Sequence, residues 1–238
     1  EAEARLDLFE PLFCGVQRLW LNTSPEADLL EGLWPGHAPA DLIAEGVPVP
    51  DRYDPDGFRA RHDLGDRPFV LYGGRREGAK GWDDLLHTVS HLVRSGRVDL
   101  RLVTFGTGAV DVPPDLRDDI IDLGHLSDTD RDDSMAAAAA YLQPSALESF
   151  SRTVMEAWLA GTPVIANGAG AVVSWHCERS GAGLTYDDDL ELEQCLQFVA
   201  SAPDHAAALG SSGRDYVLDN YQWPDTLDRI EASLEEFA

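Results

Sequence analysis

The fold is indicated by the stretch Phe69-Val70-Leu71-Tyr72-Gly73-Gly74-Arg75-Arg76-Glu77-Gly78-Ala79-Lys80-Gly81. Its first four residues form a compact apolar run, which is typical of a buried strand, and the glycine pair that follows is typical of a tight turn. After the turn, apolar residues recur at helical spacing from Trp82 to Val93. A strand, a glycine turn and a helix in this order predict one unit of a parallel sheet.

The same alternation continues along the chain. Further strands are predicted at 100–105, 120–123, 140–142, 163–166 and 183–186. Helices are predicted at 128–138, 154–160, 189–202, 204–220 and 225–237. Short apolar strands that alternate with helices favour an α/β fold with a Rossmann-like parallel sheet and helices on both faces. Ligands bind such sheets at the carboxyl ends of the strands, where the glycine turns lie.

The residues before this region are less regular. Ser24-Pro25-Glu26 predicts a helix start with Ser24 as the cap and proline at the first helical position. The segment 34–66 is rich in Pro, Gly and Asp and is predicted to be a linker with one short strand near 42–44.

Composition excludes several classes of protein. The 238 residues carry 18 basic and 43 acidic side chains, a formal net charge of −25, which disfavours binding to nucleic acid or to an acidic membrane surface. No apolar run is long enough for an integral membrane segment. The three cysteines lie far apart, so neither a disulfide scaffold nor a zinc finger is predicted. Because no apolar leader follows Glu1, we expect a cytoplasmic protein or a piece cut from a longer one.

The basic turn after the first strand is a candidate anion site. Arg75, Arg76 and Lys80 lie within six residues of one another, and flanking glycines let the backbone approach a ligand closely. The turn is not a Walker A loop, because Gly81 stands where that motif requires Ser or Thr. The alternative is a basic turn that pairs with some of the many carboxylates.

A second candidate segment follows the predicted strand 140–142. Glu148 lies in the loop after the strand, and Ser151 is a good N-cap for the next helix, whose first amides would face an anion. Glu156 lies among apolar residues, where an unpaired carboxylate is costly, so it is either partnered or functional. The alternative is an acidic residue that only favours the helix dipole.

Together the two segments resemble a known family. Glu148-x7-Glu156, followed by Ala157-Trp158-Leu159-Ala160-Gly161-Thr162-Pro163-Val164-Ile165, resembles the hallmark of retaining GT-B glycosyltransferases of the group 1 type (family 4). Gly74-Arg75-x4-Lys80-Gly81 resembles the donor-phosphate motif of the same family. The resemblance extends over about residues 20–235.

The resemblance implies an activity and a set of catalytic residues. The family moves a sugar from a nucleoside diphosphate to an acceptor hydroxyl, with the leaving phosphate as base and no protein nucleophile. Arg75 and Lys80 would hold the diphosphate, and Glu148 would bind hydroxyls of the donor sugar. No metal and no cofactor besides the nucleotide-sugar, such as a UDP- or GDP-sugar, is expected.

The resemblance also implies residues that bind the nucleotide. Glu156 would bind the ribose hydroxyls, and the remaining groups would act through the main chain or leave room for the ligand. These are Gly74, Gly106, Gly108, His125, Leu126, Phe150, Ser151, Arg152 and Thr153.

The sequence departs from the family pattern at three positions. The family usually has glycine where Ser149 and Ser151 stand, so the approach to a phosphate is narrower here. Arg76 stands where an apolar residue is common, and it is predicted to be a surface residue.

The resemblance assigns three parts to the chain. Residues 1–46 resemble the end of an N-terminal acceptor domain and the interdomain linker, and 47–222 the nucleotide-sugar-binding Rossmann-like domain. The helix within 223–238 would pack back on the missing N-terminal domain. The prediction is a glycosyltransferase fragment that binds the donor and does not transfer. The alternative is a stand-alone, non-catalytic nucleotide-sugar-binding module or partner subunit.

Two patterns resemble metal sites. Asp128-x-Asp130-x-Asp132 resembles the start of a calcium loop, but Asp133 stands where that loop requires glycine, and an acidic helix start is predicted instead. His87 and His91 are spaced for one helix face, yet no third ligand is near them in the sequence, so they are interpreted as surface histidines.

Overall fold

A computed structural model describes residues 8–235. The chain divides into two compact units. The larger unit runs from Val49 to Asp219, and the smaller one combines the described residues up to Pro48 with those from Asn220 onward. The predicted helix end at 237 and the first seven residues of the predicted segment 1–46 lie outside the described part of the chain.

The elements are numbered in chain order. The strands are β1 Leu19–Leu21, β2 Ala40–Leu42, β3 Phe69–Gly73, β4 Arg101–Phe105, β5 Ile120–Asp122, β6 Ala140–Gln143, β7 Val164–Asn167 and β8 Gly183–Tyr186. The helices are α1 Glu10–Gly15, α2 Ser24–Leu33, α3 Pro55–Arg61, α4 Trp82–Arg94, α5 Asp128–Ala137, α6 Arg152–Leu159, α7 Ala171–Ser180, α8 Asp189–Ser201, α9 Pro203–Asn220 and α10 Trp223–Glu235.

The larger unit is built on a parallel sheet with the order β5-β4-β3-β6-β7-β8. From β3 the chain adds strands on one side and then returns to add β6, β7 and β8 on the other. The order therefore reverses between β3 and β6, which is the point where open α/β sheets bind ligands. The predicted Rossmann-like α/β fold is confirmed.

Burial explains why these segments form strands and helices. All five residues of β3 are buried, as expected for a central strand covered on both faces. On α4, Trp82, Leu85, Val89 and Leu92 are each 2% exposed. Their spacing places them on one helix face, against the sheet.

Three local predictions are corrected by the structure. The predicted linker 34–66 contains α3, whose first turn is capped by the Asp54 carboxylate, which accepts a hydrogen bond from the Gly57 amide at 3.0 Å. The strand expected at 42–44 is β2, two residues earlier. The cap of α2 is Thr23 rather than Ser24, because the Thr23 hydroxyl accepts a hydrogen bond from the Glu26 amide.

The smaller unit contains the parallel pair β1–β2 and α10. The Trp20 indole donates a hydrogen bond to the Ser233 hydroxyl at 2.9 Å, and that hydroxyl donates to Asp41 at 2.6 Å. Trp223 packs directly on Gly46, where a Cβ would lie 2.5 Å from the indole. None of the helices within residues 8–235 is long and apolar enough to cross a membrane.

Packing of α9 on the end of α6 depends on Gly210. A Cβ at this position would lie 1.8 Å from the carbonyl oxygen of Gly161. We expect Gly210→Ala to lower the free energy of unfolding by about 1–3 kcal/mol through overpacking. Gly32→Ala is the control, because nothing lies within 4 Å of a Cβ there, and it should raise stability by up to about 1 kcal/mol. Denaturant unfolding measures both, and an unchanged Gly210→Ala midpoint would contradict this packing.

Candidate functional site

A cavity of about 310 Å³ lies at the carboxyl ends of β3 and β6, where the strand order reverses. It is lined by Tyr72, Gly73, Gly74, Arg75, Lys80, Gln143, Glu148, Ser151, Arg152 and Thr153. The two candidate segments of the sequence therefore meet in one place, although about 70 residues separate them.

A glycine brings the two segments together. Gly81 has φ +69°, and a Cβ there would lie 2.5 Å from the carbonyl oxygen of Pro144, in the loop after β6. Only glycine fits both conditions without strain. This close approach sets Lys80 beside Glu148.

Lys80 and Glu148 form an ion pair inside the cavity. The Lys80 Nζ lies 2.7 Å from Glu148 Oε1, and their side chains are 25% and 17% exposed. The pair is thus held in place yet open to a ligand that enters the cavity.

Arg75 also lines the cavity, and its main chain is held by a hydrogen bond from Tyr72. The Tyr72 hydroxyl donates a hydrogen bond to the Arg75 carbonyl oxygen at 2.6 Å. Burial raises the pKa of Tyr72 to about 12, so the phenol keeps its proton and remains a donor. The guanidinium itself is largely exposed and pairs with Glu77 at 3.2 Å.

Ser151 precedes the first turn of α6 in a strained conformation. Its φ is +65°, in the left-handed region that favours glycine. Ser151 is the N-cap residue of α6, as predicted, but its hydroxyl makes no capping bond and instead accepts a hydrogen bond from Gln143 Nε2 at 2.6 Å. Because the first turn of a helix leaves amides without intrahelical partners, α6 directs an anion-binding end at the cavity wall.

Glu156 lies one turn further along α6, outside the residues that line the cavity. Its side chain is 9% exposed and lies 3.6 Å from Arg131 of α5. Burial raises the pKa of the Glu156 carboxyl, and the positive charges of Arg131 and Arg152 oppose that shift. The carboxylate is therefore partnered, which is one of the two outcomes that its apolar surroundings required.

The surface position predicted for Arg76 is wrong. Its side chain is 1% exposed and is bonded to Asp122 and to the carbonyl oxygens of Gly106 and Gly108, both at 3.0 Å. Asp122 ends β5, and the two glycines lie in the turn after β4. All three are 30 or more residues away in the sequence, so the local sequence did not reveal them.

The remaining predicted residues lie around the cavity rather than in it. Gly106 and Gly108 follow β4 and pack against the turn after β3. His125 and Leu126 lie in the loop after β5, with His125 exposed. The Phe150 side chain is buried with its ring edge-on to His176, so only its main chain can face a ligand.

Sequence reasoning missed three residues of this region. Tyr72 and Gln143 line the cavity from the ends of their strands, and Arg131 pairs with Glu156. Gln143 offered a signal, since it is a polar residue at the end of an apolar strand. Arg131 offered none, because its contact crosses between two helices.

Neither of the two metal-like patterns of the sequence forms a cluster of metal ligands in the described part of the chain. Among residues 8–235 no group of three or more His, Cys, Asp or Glu side chains is placed to hold a metal ion. His87 and His91 line a separate cavity between α4 and α8, where the carboxylates of Asp189 and Glu193 are bonded to Thr88 and Arg97.

The parallel sheet defines a Rossmann-like domain, and the cavity at its switch point contains three cationic side chains, Arg75, Lys80 and Arg152. A family model described as "Glycosyl transferases group 1" matches residues 67–199. The chain therefore belongs to the group 1 glycosyltransferases, as its two motifs predicted.

Curated relatives agree with this family. A D-inositol 3-phosphate glycosyltransferase of Saccharomonospora viridis is 30% identical over 93% of this chain and 56% of its own length. A 2-deoxystreptamine glucosyltransferase of Streptomyces kanamyceticus is 27% identical over 73% of this chain and 50% of its own length. The chain thus spans about half the length of these relatives.

Solved structures share the fold. A sucrose-phosphate synthase from Thermosynechococcus elongatus superposes with a TM-score of 0.82 at 23% identity, over 99% of this chain and 62% of that one. Anabaena Alr3699/HepE in complex with UDP-glucose also gives 0.82, at 17% identity, over 99% and 68%. The α/β architecture therefore matches that of GT-B glycosyltransferases.

Proposed function

We propose that this chain is the donor-binding C-terminal part of a retaining glycosyltransferase, and that it binds a nucleotide-sugar but does not transfer the sugar by itself. The observation that carries the proposal is the Lys80–Glu148 pair, which lies in a cavity at the switch point of the sheet. The length of the relatives supports the second part, because this chain matches only about half of them.

The cationic side of the cavity suits a diphosphate. Lys80 and Arg75 supply positive charge, and the first turn of α6 supplies amide donors close to Ser151. In a transfer reaction the negative charge of the leaving diphosphate grows toward the transition state. Fixed cations and amides stabilise that charge more than they stabilise the ground state.

The acidic side of the cavity suits a sugar. The Glu148 carboxylate accepts hydrogen bonds only, which fits paired hydroxyl donors. Lys80 has three N–H donors, so it can hold Glu148 and a phosphate oxygen at the same time. The ion pair would then contact both groups joined by the bond that the enzyme breaks: the sugar through Glu148 and the phosphate through Lys80.

The rest of the nucleotide would extend along the carboxyl edge of the sheet. We assign the ribose hydroxyls to Glu156 and the base to the main chain after β5, at Gly124 and Leu126. Gly106 and Gly108 were expected to leave room for the ligand, but the space of their missing side chains is filled by the turn after β3, so we assign them a packing role instead. No residue in this proposal serves as a nucleophile, and no metal is required.

Calorimetry with four ligands tests donor binding. The ligands are UDP, GDP, a UDP-sugar and a GDP-sugar, chosen because HepE was determined with UDP-glucose and a relative from Mycolicibacterium smegmatis is named as GDP-mannose-dependent. We expect saturable binding of one nucleotide class. Binding of none of the four would contradict the proposal, and sugar transfer by this chain alone would contradict its inactive part.

Replacement Glu148→Gln separates the two roles of the cavity. We expect the variant to bind the nucleoside diphosphate up to about fivefold more tightly, because Lys80 no longer shares its charge with a solvent-accessible carboxylate. The extra affinity contributed by the sugar should shrink at the same time, since an amide accepts hydroxyl donors less strongly. Calorimetry of the diphosphate and its sugar gives both values.

Asp115→Asn is the matched control for this variant. It removes one negative charge from an exposed pair with Arg94, at the last turn of α4 and away from the cavity. Its affinities should equal those of the wild type. Equal effects of Glu148→Gln and Asp115→Asn would show that only the net charge of the protein matters.

A further inference from the structure

Arg76 is a buried cation near the site whose side chain has four bonding partners. Its Nε donates to the Thr104 hydroxyl at 3.2 Å, and one terminal nitrogen donates to the carbonyl oxygens of Gly106 and Gly108. The other terminal nitrogen pairs with Asp122. With 1% of its side chain exposed, the guanidinium cannot contact a ligand itself, and its role must act through these acceptors.

The acceptors of Arg76 belong to two neighbouring turns. Gly106 and Gly108 follow β4, while Asp122 ends β5 and accepts a hydrogen bond from the Gly124 amide at 2.8 Å. Main-chain bonds connect the same turns, from Gly106 to Gly124 at 2.7 Å and from Arg76 to Thr107 at 2.8 Å. A single buried guanidinium therefore joins the turns after β3, β4 and β5.

These turns form a wall of main chain beside the cavity. Gly106, Gly108 and Gly124 all have positive φ, and a Cβ on Gly106 would lie 2.0 Å from the carbonyl oxygen of Gly74, which lines the cavity. Nothing lies within 4 Å of a Cβ on Gly124, so space is open there. At these glycines a flat ring can lie close to main-chain donors and acceptors.

We propose that Arg76 is a positioning residue that holds the turns after β4 and β5 in the shape that accepts the nucleoside part of the donor. This inference rests on the proposed function, which places the diphosphate at Lys80. It separates two tasks along the sheet edge: the cavity at β3 and β6 binds phosphate, and the turns joined by Arg76 bind the nucleoside.

The structure supplies a matched control at the opposite edge of the same strands. Arg67 precedes β3 and joins the residues that precede β4 and β5, with ion pairs to Asp99 at 2.9 Å and to Asp119 at 2.6 Å. Arg67 and Arg76 thus link the same three strands, one at the amino ends and one at the carboxyl ends. Only the second edge carries the cavity.

The test compares the affinities of inorganic pyrophosphate and of UDP and GDP for the wild type, Arg76→Met and Arg67→Met. We expect Arg76→Met to weaken the affinity for the nucleoside diphosphate by about tenfold, the lower range for loss of a residue that orients a binding group. The affinity for pyrophosphate should change by less than about twofold. Arg67→Met should lower the melting temperature and leave the ratio of the two affinities unchanged. A merely structural Arg76 would behave like Arg67.

A second variant keeps the test decisive if Arg76→Met does not fold. Asp122→Ala removes the carboxylate that links Arg76 to Gly124, and because about a third of this side chain is exposed, water can enter the space that it leaves beside Arg76. Asp122→Ala should also weaken the affinity for the nucleoside diphosphate more than the affinity for pyrophosphate. Asp122→Asn keeps an acceptor oxygen and should retain most of the affinity for the nucleoside diphosphate.

The outcomes distinguish this inference from the proposed function. Wild-type protein that binds neither UDP nor GDP overturns both. Wild-type protein that binds one of them, with an unchanged ratio to pyrophosphate in Arg76→Met and Asp122→Ala, overturns the role of Arg76 alone.

Discussion

Replacement Lys80→Met is expected to weaken nucleoside diphosphate binding by about 10- to 100-fold, the range for hydrogen bonds to charged groups. Two effects add in the same direction. The variant loses the cation that holds the phosphate, and it leaves the Glu148 carboxylate without its partner at 2.7 Å. That carboxylate then repels the ligand.

A double variant separates the two effects. In Lys80→Met/Glu148→Gln the repulsion is removed, so part of the affinity should return. Arg94→Met serves as the control, because it removes one positive charge outside the cavity. Calorimetry measures all three, and wild-type affinity in Lys80→Met would remove Lys80 from the site.

Replacement Glu156→Gln is expected to have opposite effects on binding and stability. Loss of a carboxylate that binds the ribose should weaken nucleotide binding by about 1–3 kcal/mol. At neutral pH the same change should raise the free energy of unfolding, because burial of the ionised carboxylate is unfavourable despite Arg131 at 3.6 Å. A binding residue that lowers stability is a common compromise at functional sites.

The stability effect depends on pH in a defined direction. Burial raises the pKa of Glu156 in the folded protein above the ordinary glutamate value of 4.5. The folded state therefore binds more protons than the unfolded state between the two pKa values, and the cost of ionisation is complete only above the raised pKa. The advantage of Glu156→Gln should be largest at neutral pH and should fade as the pH falls toward 4.5.

Denaturant titrations of the wild type and Glu156→Gln between neutral pH and pH 4.5 give the difference in their free energies of unfolding. Carboxylates that the two proteins share contribute equally to both values. The charges that face Glu156 are Arg131, Asp132 and Asp128 of α5 and Arg152 of α6. Glu193→Gln is the control for binding, since that glutamate is also nearly buried and paired with an arginine, Arg97, outside the cavity. A difference in the free energy of unfolding that does not change with pH would contradict the raised pKa of Glu156.

The sheet could be predicted from the sequence because its strands are short apolar runs with glycine turns after them. Burial on both faces leaves that pattern in the residues of β3 and β7. Helices α3 and α7 could not be predicted in the same way. Helix α3 has only seven residues and lies inside a Pro- and Asp-rich segment. Helix α7 directly follows a glycine-rich segment, which is typical of a loop.

The residues of the site could be predicted from the sequence only where they belong to a motif. Glu148 and Lys80 belong to spaced motifs, and the structure brings them within 2.7 Å of each other. Arg76 looks like a surface cation in the sequence, since its partners come from other strands. The left-handed backbone of Ser151, with a φ of +65°, was not predicted, because the glycine that the family usually has there was interpreted only as space for a phosphate.

Lys80 is the single lysine of the sequence, so protein labelled with ¹³Cε-lysine has one side-chain signal of this kind. Titration of that signal with UDP and GDP is the most direct test of the central claim, that the cavity between β3 and β6 holds the donor diphosphate. We predict a saturable shift with the dissociation constant found by calorimetry. Nucleotide binding that leaves the Lys80 signal unmoved would contradict the claim.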